Sequence, residues 1–508
     1  MKKISIACLI MIFCLTGKAI IHADDHTWQD ETIYFIMVDR FANGDTSNDY
    51  EVDLNDPAAY HGGDFQGIID KLDYIKEMGF TAIWLTPIVK NEPKGYHGYW
   101  TEDFYEVEEH FGTMEEFKTL VQEAHNRDIK IILDLVVNHT GYQHPWLDDP
   151  DKQDWFHEDE AILDWDNQEN VENGRLAGLP DLAQENPEVR EYLLDMAKWW
   201  IQETDVDGYR LDTVKHVPKD FWEEFAREVK SVKDNFFLIG EVWHNDPTYV
   251  ADYAETGIDS FVDYPFYNEA TRIFSRPDQR IGKYMQGIWE RNKSLYENPY
   301  VLGNFIDNHD NQRFVRLAIE NKQDPVTRLK LALTYMYTAP GIPIVYYGTE
   351  IAMDGGNDPD NRRMMDFTDH ELVSYISTLG DIRKDHPALT HGDLEVLVDK
   401  VGTTVFSRTY EKNNVIVAMN NTTEDQEIIL TDDMLTGDSQ LIPVFGDKVI
   451  KKEKDGYVIT LPKESSEIFI LEEDNDNTNE VTFPYWYLVL GLIAVGVIGF
   501  LIIRKKHQ

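Results

Sequence analysis

The segments IILDLVVNH (131–139), GYRLDTVKH (208–216) and LIGEVW (238–243) each place an acidic residue within or just after a short apolar run. Amphipathic helical stretches separate such runs between about residue 30 and residue 385. Strands that alternate with helices are typical of a parallel α/β fold. We predict a (β/α)8 TIM barrel with strands at 33–38, 82–87, 129–137, 208–213, 236–242, 260–262, 301–307 and 342–347.

The alternation changes at two places. Residues 139–186 are rich in Asp, Asn, Gly and Trp and show no clear period, which predicts an inserted domain B after strand 3, on the carboxyl-terminal rim of the barrel. Residues 387–471 contain short alternating strands, which predict a C-terminal antiparallel β-sandwich, domain C. The barrel, domain A, is therefore expected at 24–138 and 187–386.

The two ends of the chain have the composition of membrane-related segments. Residues 1–23 begin with two lysines, continue with an apolar run and end in a small residue, which predicts a secretory signal peptide. Residues 485–503 form an uncharged apolar run followed by a basic tail, 504–508, which predicts a single transmembrane helix with a cytoplasmic end. We expect an acidic linker at 472–484 and an extracellular catalytic domain, secreted across and anchored to the cell membrane.

The chain is strongly acidic, with 93 Asp and Glu against 47 Lys and Arg and a formal net charge of −46. This balance argues against nucleic acid or anionic lipid surfaces as partners of the exterior part. It is compatible with a neutral substrate and with calcium. Both cysteines, Cys8 and Cys14, fall in the predicted signal peptide, so disulfides are not expected to stabilise the mature chain.

Four carboxylates, Asp134, Asp212, Glu241 and Asp310, follow or end different predicted strands. A single acid at such a position more often caps a helix or forms an ion pair. Four of them on one rim of a barrel indicate a catalytic site, because barrel chemistry lies where the strands end. Cleavage of an acetal needs one carboxylic acid and one carboxylate, and this set supplies both.

The sequence also resembles a known family. The segments DLVVNH (134–139), GYRLDTVKH (208–216), GEVW (240–243) and FIDNHD (305–310) are similar to the four signature regions of the α-amylase family, glycoside hydrolase family 13, in the same order and spacing. The likeness covers nearly the whole chain between its two ends, with further matches at GFTAIWLTP (79–87), YHGYW (96–100) and GGNDPDNR (355–362).

The resemblance implies that Asp212 is the nucleophile, Glu241 the general acid/base and Asp310 the transition-state stabiliser. Arg210 lies two residues before Asp212, so its guanidinium can hold the nucleophile ionised. Glu241 has apolar neighbours in sequence, which predicts an apolar setting that favours the protonated acid. A retaining mechanism requires the two carboxyls to lie about 5–5.5 Å apart.

The resemblance extends to substrate-binding residues. An aromatic residue in YHGYW is expected to stack on the glucose ring beside the cleaved bond, and histidines in two motifs are expected to bond its hydroxyls. The matched positions are His97, Tyr99, Trp100, His139, Arg210, Lys215, His309, Asp358 and Arg362.

Calcium is the implied cofactor. The resemblance places one structural ion at Asn138, Asp181 and the backbone carbonyl of His216, where oxygen ligands of the kind that Ca²⁺ prefers join the barrel to domain B. The segments NGDTSND (43–49) and GGD (62–64) resemble a second, N-terminal calcium loop. Its implied ligands are Asn43, Asp45, Asn48, Asp49, Gly62 and Asp64.

The leading prediction is retaining endo-hydrolysis of α-1,4-glucosidic bonds in starch or maltooligosaccharides. One alternative is a cyclodextrin glycosyltransferase-like or maltogenic enzyme that transfers or hydrolyses. The alternative from another class is an inactive, glucan-binding surface protein, against which the complete carboxylate set argues.

Overall fold

The computed structural model describes residues 27–473, apart from 432, 436–438 and 455. In this range, the strands of domain A are β1 (Ile33–Ile36), β2 (Ala82–Leu85), β3 (Val89–Asn91), β4 (Thr101–Val107), β5 (Lys130–Leu135), β6 (Gly208–Leu211), β7 (Phe237–Gly240), β8 (Ser260–Phe261), β9 (Gly303–Asn304) and β10 (Ile342–Tyr346). Strands β3 and β4 form an antiparallel pair outside the barrel.

The other strands of domain A are parallel and neighbour one another in the order β8, β7, β6, β5, β2, β1, β10, β9. A parallel bridge from Val262 to Gly303 closes the cylinder. The predicted (β/α)8 barrel is therefore confirmed. The eight parallel strands of the barrel fall within the eight predicted runs. The apolar residues that identified these runs are buried on both faces of the sheet.

Most helices cover the outside of the barrel, and one short helix lies in domain B. In the described residues they are α1 (Phe65–Glu77), α2 (Met114–His125), α3 (Gln168–Asn173), α4 (Pro187–Thr204), α5 (Lys219–Lys230), α6 (Pro247–Ala251), α7 (Tyr264–Phe274), α8 (Gly282–Leu295), α9 (Phe314–Glu320), α10 (Pro325–Thr338), α11 (Glu371–Asp385) and α12 (Ala388–His391). Helix α5 shows why they form here: Phe221, Trp222, Phe225 and Val229 repeat on one face and are buried against the barrel.

Domain B, the segment 139–186, consists in the structure of short 3₁₀ turns and helix α3. Two antiparallel bridges, His139 with Asp181 and Phe156 with Leu182, fold its end back on its beginning. This return brings the end of domain B beside the carboxyl end of β5.

Domain C packs after the barrel as an antiparallel β domain. Its described strands are β11 (Asp393–Lys400), β12 (Thr403–Tyr410), β13 (Asn413–Asn420), β14 (Gln426–Leu430), β15 (Ser439–Pro443), β16 (Ile450–Lys451), β17 (Tyr457–Leu461) and β18 (Ser465–Glu473). Strands β14 and β17 pair with each other, and the remaining strands form one sheet in the order β11, β12, β13, β18, β15, β16. Side chains from both sheets, such as Val405 and Ile459, share one core, as the predicted C-terminal β domain requires.

One part of the predicted fold class and the predicted localisation need correction. Within 27–473, leaving out the gaps given above, no helix has both the length and the apolar character needed to cross a bilayer. The described fold therefore lacks the membrane anchor that the sequence predicted. The predicted signal peptide (1–23), transmembrane helix (485–503) and cytoplasmic tail (504–508) lie outside the described residues, as does the predicted linker (472–484) from residue 474 on.

Candidate active site

The parallel register of the barrel brings one basic residue between several acids. Arg210 on β6 pairs in register with Asp134 on β5 and with Ile239 on β7, two residues before Glu241. Asp212 follows β6 directly. Because the carboxyl ends of parallel strands meet on one rim, these side chains converge although they are far apart in the sequence.

Arg210 is almost fully buried and bonds three carboxylates. Its Nη1 lies 3.0 Å from both oxygens of Asp134 and 2.6 Å from Oδ1 of Asp212. Its Nη2 lies 2.8 Å from Oε2 of Glu241. Burial alone would lower the pKa of Arg210, but the surrounding acids raise it well above its usual range. A planar guanidinium presents five N–H donors in a fixed fork, so it can hold several carboxylates in defined positions.

The setting of Glu241 differs from the apolar one that its sequence neighbours predict. Oε2 is paired with Arg210, and Oε1 accepts a hydrogen bond of 2.9 Å from the hydroxyl of Tyr264. The ring of Tyr264 stacks on Trp243, with centroids 5.3 Å apart and planes 7° apart. The residues adjacent in sequence are apolar, but the partners of the carboxyl come from other strands and loops.

Asp310 lies on the opposite side of the site, with Arg362. Nη2 of Arg362 lies 3.4 Å from Asp310, and its Nη1 lies 3.1 Å from Asp358. Burial, followed by repulsion from Glu241, raises the pKa of Asp310. Burial likewise raises the pKa of Asp134, against the influence of Arg210. The buried acids outnumber the buried cations here, so the site favours retention of protons on some of its carboxyls.

An aromatic group forms the floor of the site. The rings of Tyr99 and His309 stack with centroids 5.3 Å apart and planes 14° apart, and the Tyr99 hydroxyl donates to Asp134 at 2.8 Å. His139 lies 3.2 Å from the backbone oxygen of Tyr99 through Nε2. Burial lowers the pKa of His97, His139 and His309. These rings are therefore neutral at physiological pH and can exchange hydrogen bonds with sugar hydroxyls.

Nearly all predicted catalytic and substrate residues line one cavity of about 660 Å³. The exception is Arg210, which does not line the cavity but forms ion pairs with Asp212 and Glu241, which do. Lys215 lies on one wall, where its Nζ donates to the backbone oxygen of Trp243 at 3.0 Å. The wall residues of the cavity that the sequence did not identify are Trp165, Leu176, Ala177, Leu179, Thr213, Trp243, His244 and Asn245. Both tryptophans are about half exposed. Trp243 ends the GEVW motif but was not assigned a role, and Trp165 lies outside the matched motifs.

The implied calcium residues at the domain B junction are adjacent in the structure. The bridge from His139 to Asp181 places Asp181 next to Asn138. The Oδ1 atoms of Asn138 and Asp181 are both buried, and neither has a hydrogen-bond partner in the described part of the chain. Two buried oxygens without donors fit a hard cation. The other oxygen of Asp181 lies 2.6 Å from Nδ1 of His157, which the sequence did not identify.

The N-terminal loop fits calcium less completely. Asp64 accepts backbone N–H groups of Gly44, Asp45 and Gly67, and so caps α1. Asn43 donates to Asp49 at 2.8 Å, Asp45 caps a 3₁₀ turn, and Gly62 has a positive φ of 85°. Oδ1 of Asn48 is buried without a partner among the described residues. Across 27–473, with the gaps noted, no group of three or more His, Cys, Asp or Glu is arranged to hold a metal.

A TIM barrel whose strand ends carry paired carboxylates is an arrangement that glycoside hydrolases use. Residues 35–375 match the family described as alpha amylase, catalytic domain, and residues 392–469 match the alpha-amylase C-terminal domain. The chain belongs to the α-amylase family of glycoside hydrolases.

Three curated relatives illustrate the range of this family. A beta/alpha-amylase of Paenibacillus polymyxa is 40% identical over 461 residues, which cover 87% of this chain but only 38% of that protein. A cyclomaltodextrinase of Thermoanaerobacter pseudethanolicus is 34% identical, covering 79% of this chain and 72% of the relative. A maltogenic α-amylase of Bacillus acidopullulyticus is 31% identical, covering 80% and 72%.

Two solved structures are similar over most of the chain. An Anoxybacillus α-amylase is 62% identical with a TM-score of 0.87, and a Geobacillus thermoleovorans α-amylase in complex with acarbose is 56% identical with a TM-score of 0.86. Each comparison covers 89% of this chain and 100% of the other.

Proposed function

We propose that the protein hydrolyses α-1,4-glucosidic bonds in maltooligosaccharides, cyclodextrins and starch with retention of configuration, and releases short products. This is the maltogenic alternative of the sequence prediction. The cyclomaltodextrinase and maltogenic relatives support it over a purely endo-acting enzyme. The cavity, of about 660 Å³, is also of a size that suits an oligosaccharide segment.

In this proposal Asp212 attacks the anomeric carbon while Glu241 protonates the glycosidic oxygen, which leaves with the aglycone part of the chain. The covalent glycosyl-enzyme is then hydrolysed by a water whose proton Glu241 accepts. Asp310 bonds hydroxyls of the distorted sugar, and the ring of Tyr99 supports its apolar face. Arg362 and Asp358 hold the next sugar toward the non-reducing end, while Lys215 lies on the leaving-group side.

The observation that carries the proposal is that the guanidinium of Arg210 bonds both Asp212 and Glu241, at 2.6 and 2.8 Å. One planar group that bonds both carboxylates keeps them close together, as a retaining pair needs, and Asp212 and Glu241 both line the cavity. A surface protein that only binds glucan would have no use for this pair.

The test is a time course of products from amylose and from β-cyclodextrin, with the anomeric configuration followed by NMR. Maltose-rich products that appear first as the α-anomer, together with cleavage of the cyclodextrin, are expected. First appearance of the β-anomer would exclude retention. Early long products without cyclodextrin cleavage would favour an endo-acting enzyme instead. The two similar solved structures are described as α-amylases.

Glu241→Gln provides the matching site test. We expect loss of hydrolysis with glucan binding kept, because the amide preserves shape but has no acidic proton. Glu255→Gln is the control, since Glu255 is exposed. Hydrolysis by the Glu241 variant at the rate of the control would exclude Glu241 as the general acid.

We also propose a structural calcium ion held by Asn138, Asp181 and the backbone carbonyl of His216. Bound there, the ion would supply the positive charge that the buried oxygens lack and would tie domain B to the barrel. Its expected role is to stabilise the fold.

A further inference from the structure

Tyr264 is the first residue of α7 and has only 1% of its surface exposed. Its hydroxyl donates to Oε1 of Glu241 at 2.9 Å, while Arg210 bonds Oε2. The stacked ring of Trp243 holds the phenol from one side, and the ring of Phe305 meets it edge-on at 5.2 Å. The hydroxyl is therefore held in one place against the carboxyl.

Asn308 determines where the hydroxyl proton points. Oδ1 of Asn308 accepts three hydrogen bonds, from the backbone N–H of Asp310 and from the backbone and side chain of Asn311. This fixes the amide so that its Nδ2 faces the Tyr264 oxygen, at 3.5 Å. The phenol hydroxyl has one proton. Because its oxygen accepts a hydrogen bond from Asn308, its own proton is free to form the hydrogen bond to Glu241.

The charged groups that face Glu241 come from several elements. Arg210 lies on β6, Lys215 on the turn after it, and Asp310 after β9, while the backbone N–H of Thr213 lies 3.4 Å from Oε2. Burial raises the pKa of Tyr264 well above its usual value, so the phenol stays protonated and remains a donor. Among these groups, Tyr264 is the neutral donor to Oε1.

We propose that Tyr264 is a positioning residue for Glu241: its hydroxyl, oriented by Asn308, fixes the carboxyl toward the glycosidic oxygen and stabilises the carboxylate left after proton transfer. The inference rests on the proposed function, in which Glu241 is the acid. In the first step the proton moves from Glu241 to the leaving oxygen as the bond from that oxygen to the anomeric carbon breaks and the bond to Asp212 forms. The hydrogen bond from Tyr264 strengthens as negative charge develops on Glu241.

The test compares Tyr264→Phe with Tyr267→Phe. Tyr267 lies one turn further along α7 and stacks on Phe305, so it is a matched control for loss of one hydroxyl from a packed ring. For Tyr264→Phe we expect kcat/KM on amylose to fall by about 10- to 100-fold, as loss of a hydrogen bond to a charged group predicts. KM should change little, because the hydrogen bond, already present in the free enzyme, strengthens mainly as charge develops in the transition state.

Two readouts separate positioning from packing. With 4-nitrophenyl α-maltoside, whose leaving group needs little protonation, the loss should be several-fold smaller than with amylose. The basic limb of kcat/KM against pH should move to higher pH, because removal of a donor makes the carboxylate less stable. Asn308→Asp can still accept the three hydrogen bonds, but its second carboxylate oxygen would accept the hydrogen bond of the Tyr264 hydroxyl and turn it away from Glu241. This variant should therefore change both readouts in the same direction.

The outcomes are distinguishable from failure of the proposed function. If the wild type hydrolyses amylose and Glu241→Gln does not, but Tyr264→Phe and Asn308→Asp keep the wild-type pH profile and lose equally on both substrates, the positioning role is wrong. If the wild type itself hydrolyses neither substrate, the proposed function fails first and this inference fails with it.

Discussion

Nη1 of Arg210 lies 2.6 Å from Oδ1 of Asp212, two residues further along the chain, and the same guanidinium reaches Glu241 through Nη2. Residues i and i+2 of an extended strand point to the same face, which explains the first contact. The second depends on the parallel register between β6 and β7. One cation therefore sets the relative position of both proposed catalytic groups.

Arg210→Lys tests this arrangement. A lysine keeps the positive charge, but its three N–H donors all lie on one nitrogen and cannot reproduce the contacts that Nη1 and Nη2 of Arg210 make with Asp134, Asp212 and Glu241. We expect kcat on amylose to fall by about 100-fold or more, with KM within a few-fold, since small misplacement of reacting groups has effects of this size. Steady-state kinetics measure both values, and thermal unfolding checks that the variant is folded. A kcat within about fivefold of wild type would show that charge alone is sufficient.

The barrel could be predicted from the sequence because each strand is indicated by residues that are adjacent in the chain. Most of the barrel strands are apolar runs buried on both faces, and such a run itself indicates a strand. The strands are shorter than predicted. The run 301–307, for example, contains only the two-residue β9, because the chain leaves the sheet after Asn304 and continues to Asp310 on the rim. The predicted membrane helix also rests on a local apolar run, but that run lies outside the described residues, which contain no helix able to cross a membrane.

The site was predictable where acids follow strands and less so where partners are distant in sequence. The neighbours of Glu241 in sequence suggested an apolar setting, yet its contacts are Arg210, 31 positions before it, and Tyr264, 23 positions after it. No local pattern encodes such pairs. Trp165 was also missed, since an aromatic residue in an irregular, Asp-rich segment has no periodicity to interpret.

Tyr99 combines two interactions that variants can separate. Tyr99→Phe keeps the ring stacked on His309 but leaves Asp134 without its 2.8 Å donor. We expect a loss of about 10-fold in kcat/KM on maltooligosaccharides, of the size of one buried hydrogen bond. Tyr99→Leu should lose roughly another 10-fold, mainly through KM, because the flat surface for the sugar is gone. Equal losses in the two variants would contradict a stacking role.

Calcium should stabilise the protein. At a concentration 100-fold above its Kd, one bound ion adds about 2.7 kcal/mol to the free energy of unfolding, or roughly 3 °C in Tm for a chain of this size. Scanning calorimetry with and without a chelator measures this shift. Asp181→Asn should reduce the response, and Asp166→Asn, exposed in domain B, is the control. An unchanged Tm after exhaustive chelation would exclude both predicted ions.

An ion pair on the outside of the barrel predicts how stability changes with pH. Nε2 of His125, at the end of α2, lies 2.8 Å from Oδ2 of Asp207, which precedes β6. The hydrogen bond to Asp207 is the main reason that the pKa of His125 is raised, against partial burial. A histidine whose pKa is raised by folding stabilises the fold fully below its unfolded pKa of about 6.5, and loses this contribution as pH rises through the folded value.

His125→Gln should therefore lower Tm most at pH 6 and least at pH 9, with a largest difference of about 2 °C. His386→Gln serves as a control of opposite sign. Burial lowers the pKa of His386, so the charged form is disfavoured in the fold and acidification destabilises the wild type relative to this variant. The Tm difference between wild type and variant should grow on acidification for His125 and shrink for His386. Parallel changes at both positions would contradict the assignment of this pH response to the pair of His125 with Asp207.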